Sequence, residues 1–194
     1  MLDKISKTKQ QLIDVARELF GSFGKKNVTM NEIAEASSKG RRTLYTYFRN
    51  KEDVYKAVVE NELRLVAEAL KANSSQDTDS YDKLKGHIIT HLDSVKKSVT
   101  RNGSLRADFF KDIYEVERSR IRLDAIELGL IKNILTKGVE KGEFKSLDVE
   151  IISVIILYAL KGLEVPYIRQ NISSEFEKNK SEVVEFIFKG IRNE

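Results

Sequence analysis

Residues 41–48 are the run of this sequence that is richest in groups able to contact nucleic acid. Guanidinium, hydroxyl and phenol groups fill six of the positions: Arg41, Arg42, Thr43, Tyr45, Thr46 and Tyr47. Arginine forms paired hydrogen bonds with guanine edges, and threonine hydroxyls contact bases of either kind. Leu44 and Phe48, four residues apart, would pack inward from one face of a helix. The run therefore predicts a short helix that reads a DNA groove. Core packing of the tyrosines is the alternative, although two neighbours on a helix cannot both face inward.

The two histidines, His87 and His91, are four residues apart, a spacing at which one helix could bring both rings to one metal ion. Two ligands make an incomplete site, and the chain has no cysteine. We predict no metal and no cofactor, and we interpret the pair as polar surface or as the lining of a ligand pocket. The sequence has no glycine-rich phosphate loop and no motif for a catalytic nucleophile, so it does not indicate an enzyme.

Residues 41–48 are predicted to form the third of three N-terminal helices, and the first two position it. The first runs from Lys7 to Phe23 with helically spaced apolar residues, and Gly24 follows as its C-terminal cap. Thr29, with Glu32 three residues later, predicts a capping box that opens the second helix. Two short helices in succession are typical of a helix-turn-helix, in which the second helix enters the major groove, about 12 Å wide.

The charge distribution also favours the N-terminal third of the chain as the part that binds a polyanion. Residues 1–60 hold 12 Lys/Arg against 8 Asp/Glu, and the remaining residues hold 22 of each, so the net charge of +4 lies in the N-terminal third. A basic surface recruits polyanions, although a lysine-rich solubilising surface is the alternative. No stretch has the roughly 18 apolar residues of a membrane span, and no secretion signal opens the chain. We expect a cytoplasmic protein with no membrane partner.

The rest of the chain is predicted to be helical as well, which makes the fold class all-α. A fourth helix begins at Asn50, and a polar segment at 73–80 suits an exposed connection. We divide the chain into a helix-turn-helix domain at 1–50 and a helical effector-binding and dimerisation domain at 51–194. The further helices are predicted at Tyr81–Val99, Leu105–Asp112, Tyr114–Lys141, Asp148–Leu163 and Ser174–Arg192.

Two of these helices are apolar on more than one side. Because an apolar helix must be covered nearly all round, we predict that they bury residues against a second copy of the chain in a four-helix bundle. The predicted dimer residues are Ile152, Ile155, Ile156, Ala159, Val184, Ile187 and Phe188. The alternative is that the first of these helices is a central core helix of one chain.

The run TMNEIAEASSKGRRTLYTYFRNKEDVYKAV resembles the DNA-binding domain of the tetracycline-repressor (TetR) family, over about residues 9–59. The resemblance implies a dimer with a C-terminal ligand domain, in which the last two helices pair across the twofold axis. It also implies that Thr29 and Lys51 contact phosphates and that Arg41, Arg42 and Thr43 read bases. By the same resemblance Tyr45 and Tyr47 brace the DNA backbone, and Ile33, Ala34, Leu44 and Phe48 are core residues.

The turn before the third helix departs from the family pattern. Members commonly have Ala-Gly-Val-Ser there, whereas this chain has Ser37-Ser38-Lys39-Gly40, so an apolar plug and an easily turned glycine are missing.

The resemblance and the residues together predict a homodimeric regulator that binds a near-palindromic, double-stranded DNA operator and is released from it by a small molecule. The candidate pocket residues for that effector are His87, His91, Phe109, Phe110, Ile113 and Tyr114. A helical scaffold protein and a helical enzyme without DNA binding are the alternatives.

Overall fold

The computed structural model describes residues 6–101, 113–168 and 174–193, and the regular elements in these residues are helical, with one isolated β-bridge between Phe144 and Arg192. This confirms the all-α fold class. The helices are α1 (Lys7–Phe23), α2 (Met30–Ala36), α3 (Arg41–Tyr47), α4 (Lys51–Ser74), α5 (Ser80–Arg101), α6 (Ile113–Glu140), α7 (Val149–Ile168) and α8 (Ser174–Phe188). Short 3-10 turns follow α1 and α8, at Lys25–Asn27 and Lys189–Ile191. Among the described residues, no helix combines the length and the apolar character needed to cross a membrane.

The predicted helix bounds hold best where local capping signals are strong. Helix α1 has the predicted bounds, with the Ser6 side chain accepting a hydrogen bond from the Lys9 amide at its start. Helix α7 continues past the predicted end at Leu163, and Pro166 lies in its last turn. Helix α8 ends before Arg192 because the chain tightens into the 3-10 turn. The predicted helix at 105–112 lies outside the described residues.

The chain divides into two compact units. The first unit comprises Met1–Leu63 and Ser98–Arg120, and the second unit comprises Arg64–Lys97 and Ile121–Glu194. Helix α4 therefore contributes residues to both units. The predicted division at residue 50 concerned functional domains, and it stays a prediction.

The core of the first unit holds the three N-terminal helices and the start of α4 together. Its members are buried apolar residues from each helix: Leu12, Ile13, Ala16, Phe20, Val28, Ile33, Ala34, Leu44, Phe48, Val54, Tyr55, Val58 and Val59. The Phe20 and Tyr55 rings meet edge to face with their centroids 5.8 Å apart, which joins α1 to α4. Because α3 contributes Leu44 and Phe48 to this core, its opposite face is left for solvent.

The second unit has its own core, and a tight turn after α6 closes one end of it. Gly142 adopts a φ of 72°, and the amides of Glu143 and Phe144 both donate to the Gly138 carbonyl, at 2.8 and 3.0 Å. This arrangement satisfies the last carbonyl groups of the helix in the manner of a glycine cap. It also turns the ring of Phe144 back into the core, where 1% of the residue is exposed.

Candidate functional site

Helix α3 presents the predicted polar face to solvent. Leu44 and Phe48 are buried, whereas Tyr45 and Tyr47 are 52% and 37% exposed. The exposed tyrosines exclude the alternative in which they pack in the core. Arg41, Arg42 and Thr46 are also exposed, and Thr43 is half-buried.

The exposed face of α3 is electropositive. The helix carries Arg41 and Arg42 in its first turn and has no acidic residue there. Gly40 at its N-cap provides no side-chain hydrogen bond, so the backbone N–H groups of the first turn are not capped by a side chain. Both features favour an anion near the start of α3.

Helix α2 is fixed by the predicted capping box. The Glu32 carboxylate accepts hydrogen bonds from the Thr29 amide and hydroxyl, both at 2.7 Å, and the Glu32 amide donates to the Thr29 hydroxyl oxygen at 3.3 Å. These bonds, the one from the Thr29 side chain above all, lower the pKa of the Glu32 carboxyl. Thr29 therefore lies at the start of α2 as predicted, with its hydroxyl engaged by Glu32; its phosphate contact stays a prediction.

The atypical turn between α2 and α3 closes without the family's valine and glycine. Ser37, at the position of the family's alanine, is buried, and its hydroxyl donates to the Ala34 carbonyl at 2.9 Å. Lys39, at the position of the missing valine, is half-buried. Ser38 occupies the position of the glycine and adopts a φ of 54°, the left-handed region that disfavours residues with a Cβ. The turn keeps a helix-turn-helix connection at the cost of local backbone strain.

Replacing Ser38 with glycine should stabilise the first unit. Left-handed backbone costs a residue with a Cβ about 1–2 kcal/mol, and the greater flexibility of glycine in the unfolded chain offsets about 0.5–1 kcal/mol of that gain. We expect Ser38→Gly to raise the free energy of unfolding by about 0.5–1 kcal/mol, measured by urea titration of the helical circular dichroism signal. Ser38→Ala keeps the Cβ and should bring no gain; an equal gain from both variants would contradict the argument.

Lys51 begins α4, where a phosphate contact was predicted. Its ammonium group donates to the Lys26 carbonyl at 3.2 Å, which ties α4 to the turn after α1. The Asn50 side chain caps α4 by accepting from the Asp53 amide at 2.8 Å, and the Asp53 side chain accepts from the Arg49 amide at 3.1 Å. The predicted cap is confirmed, and the phosphate contact of Lys51 stays a prediction.

The two histidines are neither surface residues nor isolated. His87 and His91 of α5 are fully buried in the second unit and pair with Glu127 of α6 and Glu164 of α7. One oxygen of Glu127 lies 3.1 Å from His87 Nε2 and 2.6 Å from His91 Nδ1. His91 Nε2 lies 2.9 Å from Glu164 Oε1. We call these four residues the buried ionic cluster.

The hydrogen bonds of the cluster favour the charged forms of His91 and Glu127. Burial opposes the charged form of the His91 ring, but hydrogen bonds to Glu127 and Glu164 outweigh it and raise the pKa of His91 from 6.5 to about 9. Burial likewise raises the pKa of the Glu127 carboxyl, but hydrogen bonds from His87 and His91 reverse that effect and lower the pKa to about 2. The surface interpretation of the histidines is therefore wrong, because both rings are shielded from water and bonded to carboxylates.

The remaining pocket candidates lie at the edge of what the structure describes. Phe109 and Phe110 fall outside the described residues. Ile113 and Tyr114 begin α6, and their side chains are not among those described.

The predicted dimer residues divide between the core and the surface. Ile155 and Ala159 of α7 are exposed, and Ile152 is half-buried. Ile156 and Val184 need correction as contact residues, because both are buried in the core of their own unit. Phe188 is half-buried against that core, and the side chain of Ile187 is not among those described.

An exposed apolar strip on α7 includes residues that the sequence analysis missed. Ile151, Val154 and Tyr158 are exposed together with Ile155. Their spacing of three and four residues places them on one face of the helix, which we call the α7 strip. Phe186 of α8 is also exposed. Helical spacing within the apolar run could have indicated this face, since Ile151 and Ile155 alternate with the buried pair Ser153 and Leu157.

The exposed face of α3, braced by α2 over a buried core, defines the class of a helix-turn-helix DNA-binding protein. Residues 12–58 match the family model described as bacterial regulatory proteins of the tetR family. The chain is 21% identical over 184 residues to the fatty acid metabolism regulator protein of Bacillus subtilis (strain 168), covering 94% of this chain and 95% of the relative. It is 23% identical over 168 residues to the probable acrEF/envCD operon repressor of Escherichia coli (strain K12), covering 81% of this chain and 74% of the relative.

A solved structure shares the fold over nearly the whole chain. The transcriptional regulator from Cytophaga hutchinsonii superposes with a TM-score of 0.78 at 22% sequence identity, covering 97% of this chain and 100% of that one. Residues 12–58 place the N-terminal part of the chain in the tetR family of bacterial regulatory proteins, and the relatives over the longer range are TetR-family regulators as well. The chain is a DNA-binding regulator of transcription, and the relatives, being regulators, confirm the prediction that it is not an enzyme.

Proposed function

We propose that the chain acts as a homodimeric repressor in the cytoplasm, with the two copies of α3 in successive major grooves of a near-palindromic operator. The observation that carries this proposal is the exposed face of α3, where Arg41, Arg42, Tyr45 and Tyr47 lie opposite buried Leu44 and Phe48. Two reading helices related by a twofold axis contact half-sites about one helical turn apart.

A second copy of the chain is the proposed partner of the α7 strip. Ile151, Val154, Ile155 and Tyr158 offer a row of apolar side chains that one chain alone leaves in water. A twofold axis places the same patch of both copies face to face, so a single strip serves both sides of the contact. Dimerisation through this strip would supply the second reading helix that the operator requires.

The effector is proposed to be a small molecule that binds in the second unit. Its binding would change the position of α4, one of the helices that contribute residues to both units. An effector that binds the DNA-free form about 10⁴-fold more tightly than the DNA-bound form would reverse a preference of about 99:1. No large motion is needed, because only the difference in affinity between the two forms matters.

The DNA proposal is tested with an operator selected from a pool of random duplexes and with a random-sequence duplex of equal length. We expect Arg42→Ala to weaken operator binding by about 1–3 kcal/mol, a factor of about 10–100, and to relax sequence preference at one position. We expect Lys51→Ala to weaken both duplexes alike and to reduce the slope of log affinity against log salt by about 1. Affinities are measured by fluorescence anisotropy at several salt concentrations.

Arg122→Ala is the matched control, because it removes an exposed arginine from α6 instead of from the first unit. It should leave both affinities and the salt slope unchanged. The assignment of α3 as the reading helix would be wrong if Arg42→Ala bound both duplexes as the unaltered chain does.

A further inference from the structure

The start of α1 lies beside the end of α3, although 41 residues of sequence separate Ser6 from Tyr47. The Ser6 hydroxyl donates a hydrogen bond to the Tyr47 hydroxyl oxygen at 3.3 Å. The Lys9 ammonium group lies over the Phe48 ring, 5.7 Å from its centroid. The first turn of α1 and its N-cap therefore contact the last residue of α3 and the residue that caps that helix.

This part of α1 adds positive charge beside the exposed face of α3. The first turn of α1 carries Lys7 and Lys9 and has no acidic residue. Ser6 and Lys7 are exposed, and Lys9 is half-buried. A polyanion in contact with α3 would therefore meet two ammonium groups and no carboxylate in the adjacent turn of α1.

The position of Tyr47 suits a contact with the DNA backbone. A reading helix contacts base edges with its N-terminal residues, whereas Tyr47 is the last residue of α3 and is 37% exposed. At least half of the hydrogen bonds between proteins and DNA go to phosphate oxygens and sugars, and tyrosine is one of the residues that donate them. A phosphate oxygen is therefore the partner that best fits the Tyr47 hydroxyl.

The hydrogen bond to Ser6 leaves the Tyr47 proton available for that phosphate. Phosphate oxygens accept hydrogen bonds, so a Tyr47 hydroxyl in contact with one must donate its single proton there and accept from Ser6. Ser6 has a hydroxyl proton to donate, and its oxygen accepts from the Lys9 amide at 3.2 Å as the N-cap of α1. The donor to Tyr47 is thus held by the backbone of α1, and bonds in such a chain strengthen one another.

We propose that Ser6 is a positioning residue for DNA binding, whose hydroxyl orients the Tyr47 phenol so that the phenol donates to a phosphate beside the groove that α3 enters. The proposal rests on the proposed function, because it takes α3 as the reading helix. The bond restricts the Tyr47 side chain before DNA binds, so less side-chain entropy is lost on binding. Ser6 is bonded to Tyr47 and not to Tyr45, the other exposed phenol of α3, so its effect is specific to one tyrosine.

The test measures the affinity of Tyr47→Phe and Ser6→Gly for the selected operator and for the random duplex, by fluorescence anisotropy at several salt concentrations. Tyr47→Phe removes the hydroxyl that donates to phosphate and should weaken binding of both duplexes by at least about 10-fold. Ser6→Gly keeps that hydroxyl but no longer restrains it, and should weaken binding of both duplexes about 2- to 10-fold. Neither change should alter the slope of log affinity against log salt, because neither removes a positive charge.

A double variant tests whether Ser6 acts through Tyr47. In a chain that already carries Tyr47→Phe, Ser6→Gly should cause no further loss of affinity, because the hydroxyl that Ser6 orients is absent. In a chain that carries Tyr45→Phe, Ser6→Gly should cause its full loss. Equal losses in the two backgrounds would overturn the proposal, since Ser6 would then act through α1 as a whole.

The positioning role is separated from a loss of helix stability by a conservative variant. Ser6→Thr keeps both the N-cap and the hydroxyl, so it should bind both duplexes as the unaltered chain does. A loss in Ser6→Thr equal to that in Ser6→Gly would contradict the role of the hydroxyl. Glycine is itself an acceptable N-cap, and thermal unfolding of Ser6→Gly checks that α1 is retained. Tyr47→Phe leaves the ring in place, so its affinity tests the phosphate contact even if Ser6→Gly does not fold.

Operator selection by the unaltered chain distinguishes the failure of this inference from the failure of the proposed function. A chain that selects an operator and depends on Arg42, but whose affinity is unchanged by Ser6→Gly or by Tyr47→Phe, would overturn the positioning role and leave the DNA proposal standing. A chain that binds neither duplex in a salt-dependent manner would contradict the proposed function, and this inference with it.

Discussion

Ile155→Glu is expected to convert the proposed homodimer into a monomer. Ile155 lies within the α7 strip with 56% of its surface exposed, so the substitution leaves the core of its own chain intact. In a twofold contact the change places two carboxylates in one apolar interface, where each loses its hydration without gaining a partner. An uncompensated buried charge costs about 3–5 kcal/mol, which weakens dimerisation by a factor of at least about 100. Sedimentation velocity over a range of concentrations measures this loss.

Ile155→Glu should also bind the operator much more weakly. Two linked reading helices bind as one unit because the second binds at a high effective concentration, and a monomer loses that advantage. We expect operator affinity to fall about 100-fold or more, while the much weaker binding of a random duplex changes little.

Ile121→Glu is the control for this experiment. Ile121 is an isoleucine of α6 that is 65% exposed, so the control introduces the same charge at a comparably exposed site outside the α7 strip. It should remain dimeric and bind the operator. A dimeric Ile155→Glu, or a monomeric Ile121→Glu, would show that the copies meet through another surface.

The helix-turn-helix could be predicted from the sequence because its determinants are local. The capping box joins Thr29 to Glu32 within one turn, and Leu44 and Phe48 set the phase of α3 by their spacing. The left-handed Ser38 could not be predicted, because serine carries no signal for that backbone conformation as glycine does. How the turn closes could be seen only in the structure, in which the Ser37 side chain is buried.

The buried ionic cluster could not be predicted from the sequence, because its determinants are not local. His87 and His91 were visible as a pair, but their partners lie far away along the chain: Glu127 is 36 residues from His91, and Glu164 is 73 residues from it. Glutamates on helices usually face solvent, so spacing alone gives no reason to select these two. Only the packing of α5, α6 and α7 brings the carboxylates to the rings.

The predicted dimer residues show that helical spacing cannot identify the core-facing side of a helix that is apolar on most sides. Helix α7 is apolar on most sides, so its sequence predicts burial without indicating which face meets its own core. Neighbouring Ile155 and Ile156 were both assigned to the interface, yet one is exposed and the other is buried. Ser153 and Glu164 are polar residues of this helix that are nevertheless buried, so polarity points the assignment of its faces the wrong way.

Gly138→Ala is expected to destabilise the second unit by about 3 kcal/mol, between the cost of overpacking a core and that of removing a large aromatic side chain from it. A Cβ at Gly138 would overlap the ring of Phe144, including its Cγ at 3.0 Å. The ring cannot move aside easily, because the Phe144 amide is bonded to the Gly138 carbonyl and the residue is 1% exposed. Thermal unfolding followed by circular dichroism should show a loss of about 6–12 °C in Tm.

Gly129→Ala makes the same substitution in the same helix and should have the opposite effect. A Cβ at Gly129 meets no atom of the described residues within 4 Å, so only the helix propensity changes, and alanine gains about 0.5–1 kcal/mol over glycine. A second check uses Phe144→Leu. If the overlap with the ring is the cause, Gly138→Ala should cost much less in a chain that already carries Phe144→Leu, a non-additivity expected of two residues in contact. Equal costs of Gly138→Ala in both backgrounds would mean that Gly138 is needed for the backbone of the turn and not for the space it leaves to Phe144.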